Sequence, residues 1–308
     1  MKRIALAILA LTLAGCQEAR RGDAVAAQGQ VAAPSQGVFD NHEQVWRAKE
    51  AAPGGVAPPH VVVSIEATPK ADWTLWHVRL ETAQTLEAVW ALHRVVDAGG
   101  ATTLVPHRAL VAAPASPFDE KAWTPLDACA LRGTGTDGTL KVGADLAACS
   151  AIAPGIGAGA ALLPLAIERE GEWLHVRLYA DQARGADARE DAREVRWFGG
   201  WAAVNGGGAS AAASNRDWHM DRAVRLGSEG GRYALKWRDG SASGYSLMLE
   251  RLTYREGNVP VLKLSIVGDD DGSTLAYAWA NPEATRIGMN LGWVQVGLER
   301  EDVAAPAK

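Results

Sequence analysis

The three cysteines are the most chemically pointed residues in this 308-residue chain, and their neighbours assign them different tasks. Cys16 closes the string Leu13-Ala14-Gly15-Cys16, behind Lys2, Arg3 and the apolar run from Ile4 to Leu13. A basic start, an apolar core and small residues at its end make a secretory signal, and the run falls short of the ~20 residues that span a bilayer. Leu-Ala-Gly-Cys has the pattern of a bacterial lipobox, in which Cys16 is diacylated and becomes the first mature residue. Two acyl chains anchor stably where one binds only marginally. Gln17 stands where an Asp would mark retention at the inner membrane. The expected address is therefore the periplasmic side of the outer membrane, with the bilayer as partner through acylated Cys16. Cys129 and Cys149 are then left in an oxidising compartment, where a disulfide is the default. Closing that loop should contribute ~3 kcal/mol in the chain-entropy account. A metal-ligand role needs further donors, and neither cysteine has a CxxC partner or a His at zinc-finger spacing.

The seven histidines form no HxH, HExxH or His/carboxylate cluster at ligand spacing, so no metal is assigned. His60, His77 and His175 fall on strand patterns, where structural imidazoles are ordinary. Asp269-Asp270-Asp271-Gly272 brings its glycine too early for a calcium loop and reads as a hairpin turn. Gly155-Ile156-Gly157-Ala158-Gly159 follows no strand in a βαβ setting and reads as a loop, so no nucleotide cofactor is implied. With no G-x-S-x-G, S-x-x-K or P-loop, no catalytic residue is assigned. Trp76, Trp90 and Arg94 are the candidate pocket residues. Arg94 shares strand parity with Trp90 and Leu92; on an inward face its guanidinium can meet a ligand carboxylate beside an indole. At a barrel rim it would instead sit in a structural ion pair, and the residues alone leave both readings open. Twelve tryptophans against three phenylalanines are the compositional oddity. Trp218, Trp237, Trp279 and Trp293 serve either as core or as a sugar- or peptide-facing platform.

Positioning these residues falls to short β-type runs. From His60 onward the runs are His60 to Glu66, Trp73 to Thr82, Glu87 to Val96, Thr102 to Val111, Leu126 to Arg132, Thr139 to Val142, Leu162 to Arg169 and Glu172 to Ala180, divided by Gly and Pro clusters. Alternation in Trp73 to Leu80 marks a strand half-buried on one face. Hairpins without long amphipathic helices predict a meander that closes into an antiparallel barrel. Before it, Asp40 or Asn41 caps a helix of about two turns that buries Val45 and Trp46. Asp181 to Arg193, with no apolar residue larger than Ala, reads as a charged linker. About seven further strands suggest a small β-sandwich. The expected organisation is a signal over 1–15, a tether over 16–36, a barrel over 37–180, a linker over 181–193, a sandwich over 194–300 and a tail over 301–308. The net charge of −5, without a basic aromatic patch, excludes nucleic acid as a partner.

Gly37-Val38-Phe39-Asp40-Asn41-His42-Glu43-Gln44 resembles the opening Gly-x-Phe/Tyr-Asp/Ser-Asn-x-x-Gln of the CpcT/CpeT-type chromophore lyase family. Pro59-His60-Val61, the stretch Val89 to Val95 with Trp90 and Arg94, and Leu126-Asp127-Ala128-Cys129 followed by Cys149 are similar to later landmarks of that family, in the same order. The resemblance covers roughly 37–181. It implies a calycin-like antiparallel barrel that attaches phycobilins to protein cysteines, and hence a hydrophobic or tetrapyrrole-like small-molecule ligand. The competing expectation is a non-catalytic envelope lipoprotein with a filled barrel and an exposed aromatic patch on the second region. A ligand-holding barrel would have a cavity lined by Trp76, Trp90 and Arg94; a filled one would not.

Overall fold

Alternation of large apolar and polar residues in most of its strands accompanies a closed ten-stranded wall in the computed structural model, which describes residues 36–110, 118–136, 139–212, 214–254 and 259–301. All of these belong to a single unit, Val31–Lys308. Cys16, the signal, nearly all of the tether and the tail beyond 301 lie outside the described residues. The barrel strands are β1 (Gly37–Asp40), β2 (His60–Ala67), β3 (Trp73–Glu81), β4 (Thr85–Val96), β5 (Thr102–Ala109), β7 (Leu131–Thr136), β8 (Thr139–Gly143), β9 (Pro164–Glu170), β10 (Trp173–Leu178) and β11 (Glu190–Glu194). A short β6 (Trp123–Pro125) flanks β5. Every pairing is antiparallel, and the β4–β5 and β1–β11 contacts complete the ring. Closure leaves the wall without open edges.

Parity decides what fills the bore. Val61, Val63 and Ile65 of β2, Trp76, Val78 and Leu80 of β3, and Trp90 and Leu92 of β4 all point inward. From the other side come Leu140 and Val142, Leu165 and Ile167, and Leu174, Val176 and Leu178. The interior is thus a side-chain core. Cys129 and Cys149 are bonded, with Cα atoms 4.5 Å apart. Their bridge ties the 3-10 turn Asp127–Cys129 to a two-turn helix, α2 (Leu146–Ile152), which Asp145 caps by accepting from the N–H groups of Ala147 and Ala148.

Three stretches depart from the sequence reading. Glu190–Glu194, which begins inside the expected charged linker and runs one residue past its end, is a barrel strand that zips β10 to β1. Its only apolar residue is Ala192, so its alternation carries no hydrophobic signal. Leu126 to Arg132, expected as one strand, is a 3-10 turn followed by the start of β7. Gly37–Asp40, expected only as the entry to a helix, is the strand that receives β11. The helix follows as α1 (His42–Ala51). Its N-cap residue Asn41 makes no side-chain cap; Asp40 Oδ1 accepts from the His42 N–H at 2.8 Å instead.

Beyond the barrel two four-stranded antiparallel sheets share one core. The first runs β13 (Trp218–Gly227), β12 (Trp197–Asn205), β19 (Val294–Arg300), β18 (Arg286–Asn290); the second runs β14 (Glu229–Lys236), β15 (Ala242–Leu252), β16 (Val261–Gly268), β17 (Thr274–Ala280). Phe198, Val204, Leu226 and Val296 from one sheet meet Leu235, Leu247, Leu264 and Ile266 from the other. The expected strand Leu291 to Leu298 is the second arm of a hairpin, β18–β19, that turns at Leu291 to Trp293.

Candidate functional site

Of the expected pocket residues, Trp76 and Trp90 are brought together, and Arg94 lies further along the same strand as Trp90. Trp76 and Trp90 are cross-strand partners, 0% and 2% exposed, inside the barrel core. Each indole N–H is satisfied locally: Trp76 Nε1 donates to Thr74 Oγ1 at 3.2 Å and Trp90 Nε1 to the Leu162 carbonyl at 3.0 Å. Arg94 lies opposite Leu104 near the end of β4, half-buried and engaged in an interaction of its own. None of the three lines the concavities described below.

The motif Asp40-Asn41-His42-Glu43-Gln44 organises a polar seam instead. Asn41 Nδ2 donates to Glu190 Oε2 at 2.6 Å, to the Pro59 carbonyl and to Gln44, while its Oδ1 accepts from the Val61 N–H. His60 lies between Asp40 (2.7 Å) and Glu81 (2.8 Å), and the bond to Asp40 raises its pKa to about 9. Burial, then the neighbouring charge of Asp181, pushes Glu190 up to about 7 against its bond to Arg184. Deeper still, Arg193 reaches Glu43 at 2.8 Å and grips both oxygens of Glu229 at 3.0 and 2.8 Å. Burial opposes that guanidinium's charge, yet Glu229 and Glu43 hold its pKa above the ordinary value. Glu229 is itself pushed up to about 7 by burial. Arg251 pairs with Glu172 at 2.8 Å, and His42 bridges to Glu250, which also meets Lys263. The seam therefore joins α1, β11 and the turn between β9 and β10 to β14 and β15 of the second region, with Lys263 of β16 behind Glu250.

A concavity of about 620 Å³ lies on the outer face of the barrel over β7 to β10. Inward positions alternate with Lys141, Glu168, His175 and Arg177, which face out. These, with Arg132 and the loop 186–189, line the groove. Lys141 meets Glu168 at 3.3 Å, Arg189 meets Asp191 at 2.9 Å, and His175 Nδ1 lies 2.5 Å from Asp191. A second concavity of about 390 Å³ adjoins it through His175, walled by Trp173, by Asp191 and by Glu43, Gln44 and Arg47 of α1. Trp173 and His175 are parallel there, their centroids 6.3 Å apart. Four cations against Glu168 and Asp187 make the larger groove electropositive on an acidic chain. No motif announces it, because its residues come from four strands and a loop.

Of the four tryptophans weighed as a platform, Trp293 is in the core, Trp237 packs against it, and Trp218 is half-buried. Trp279 alone is exposed, and it stands with Tyr277, Tyr254 and Trp46, neighbouring centroids being 5.2 to 5.6 Å apart.

Comparison of the chain with family models, with curated proteins and with solved structures gives no match in any of the three.

Proposed function

We propose that the chain is a non-catalytic, lipid-anchored binding protein on the periplasmic side of the outer membrane. In this reading its CpcT/CpeT-like barrel is filled, and a small molecule is held on the outer wall in the groove over β7 to β10. The observation that carries the reading is the pairing of a bore occupied by Trp76 and Trp90 with a concavity of about 620 Å³ outside it. That volume falls in the ~300–1,000 Å³ range of ligand sites. The lipid anchor rests on the Cys16 motif, and the family assignment rests on the opening motif, whose side chains fix the wall that carries the groove. Thermal-shift screening of the mature protein against a mixed panel of small anionic, neutral and cationic solutes tests it, beside Gly143→Leu. A Cβ at Gly143 meets only the Leu165 carbonyl oxygen, at 3.9 Å, so a larger residue there occupies the groove without disturbing the fold. Ligands that stabilise the parent and not Gly143→Leu are expected. No stabilising ligand, or ligands indifferent to Gly143→Leu, would sink the reading.

A second reading, contact with another envelope component, is favoured by the exposed Tyr277 and Trp279 on the outermost strand β17, 54% and 57% exposed. Cross-linking through a photoreactive residue at position 275, beside them on the same face, tests it by the appearance or absence of a discrete adduct in cells.

A further inference from the structure

Strand register lays a single row of residues across the groove. Arg132 is opposite Gly143, Gly143 opposite Ala166, and Ala166 opposite Arg177. The row thus crosses four adjacent strands on the outer face, with a guanidinium at each end and no side chain larger than a methyl between them. The end residues are separated by three ladder steps of ~4.8 Å each. Lys141, Glu168 and His175 form a parallel row on one flank, and the loop 186–189 supplies another part of the lining.

The two ends differ from every other cation of the groove. Lys141 is engaged by Glu168, and Arg189 by Asp191. Arg132 and Arg177 have no carboxylate partner among the described residues, and the one polar contact of the Arg177 guanidinium is a long 3.4 Å approach to the Gly185 carbonyl. Its Nε is buried without a hydrogen-bond partner among the described residues. A buried donor left unmade is destabilising, and an acceptor drawn up to this guanidinium would relieve it. Guanidinium is also the side chain whose planar fork matches a carboxylate. Resting on the reading of this groove as the small-molecule site, we infer that it takes an organic dicarboxylate, one carboxylate on Arg132 and the other on Arg177, with an apolar chain lying over Gly143 and Ala166.

The test is isothermal titration of the mature protein with the straight-chain dicarboxylates from succinate to azelate, each beside the monocarboxylate of the same length. Affinity is expected to peak at one intermediate length and to exceed that of the matching monocarboxylate at least tenfold. Arg132→Gln, at an exposed position, is expected to erase that advantage while leaving the melting temperature unchanged. Arg177→Gln should do the same to binding, and Arg132→Gln keeps the test decisive if the Arg177 variant folds poorly. Equal binding of mono- and dicarboxylates, the absence of a length optimum, or an advantage that survives Arg132→Gln would overturn the inference. If neutral solutes bind and Gly143→Leu blocks them while dicarboxylates do not bind, the groove stands as the small-molecule site and only the ligand class falls. If nothing binds, both fall together.

Discussion

At the scale of single residues, the side chain with the most at stake is Arg193. It is 1% exposed, and it compensates two carboxylates, Glu43 and Glu229, that are themselves buried. Removing one partner of a buried pair strands the other charge, at a cost of about 3–5 kcal/mol. Arg193→Ala should accordingly lower the urea midpoint steeply. Arg225→Ala, which breaks the solvent-exposed pair with Glu301, should cost under ~1 kcal/mol in the same titration. Equal costs would mean that the seam is not a structural centre. Part of this was legible beforehand. The stretch Asp40 to Gln44 stood out by its resemblance, and its residues do hold the seam, but their partners Glu190, Arg193 and Glu229 gave no sign. A buried charge is recognised by what surrounds it, and those surroundings are assembled from strands more than a hundred residues apart in the chain.

At the scale of elements, strands with alternating large apolar residues were readable, since the pleat imposes a period of two on anything half-buried. β2, β3 and β8 begin where the pattern begins and end within a residue or two of it. β11 was unreadable for a physical reason: it contributes only Ala192 to the core, and Glu190 and Glu194, which share its parity, are satisfied by ion pairs with Arg184 and Arg169. The candidate pocket was legible only in part. Parity placed Trp76 and Trp90 inward correctly, but parity cannot say whether an inward face meets space or another side chain. The disulfide, expected from compartment and count, is formed, and it pins the two short helical pieces at Asp127–Cys129 and Leu146–Ile152. Replacing Cys129 and Cys149 by Ser should lower stability by about 2–4 kcal/mol. Hydrogen exchange should show the new opening concentrated in Leu146–Ile152 and spare β15 and β16. Uniform loss of protection across the chain would contradict a local role for the bridge.

At the scale of the molecule, several titrating groups tie stability to pH. His60 is raised from 6.5 to about 9, so its contribution is complete below pH 6.5 and is lost as pH rises through 9. Glu190 and Glu229, raised from 4.5 to about 7, hold protons that the unfolded chain releases, and so cost stability as pH climbs over that interval. On the acid side, the bond to His60 holds Glu81 below its usual 4.5, and His42 and Lys263 do the same for Glu250 against its burial. Those two contributions are lost as pH falls below 4.5. The melting temperature should therefore be highest near pH 5 and decline toward pH 9, as followed by circular dichroism. His60→Ala should flatten the decline above pH 6.5 and leave the acid limb in place apart from the share carried by Glu81. A melting temperature that climbs between pH 5 and 9 would refute this assignment. The clasp between Arg193 and Glu229 also bears on how the protein can be divided. Any genetic cut made between these two positions leaves Arg193 its other acid, Glu43, on the barrel product, but takes the two-pronged partner away from Glu229 and leaves it with Arg251 at 3.9 Å, so the second region expressed alone will call for a neutral residue at 229 before it can be handled as an independent piece.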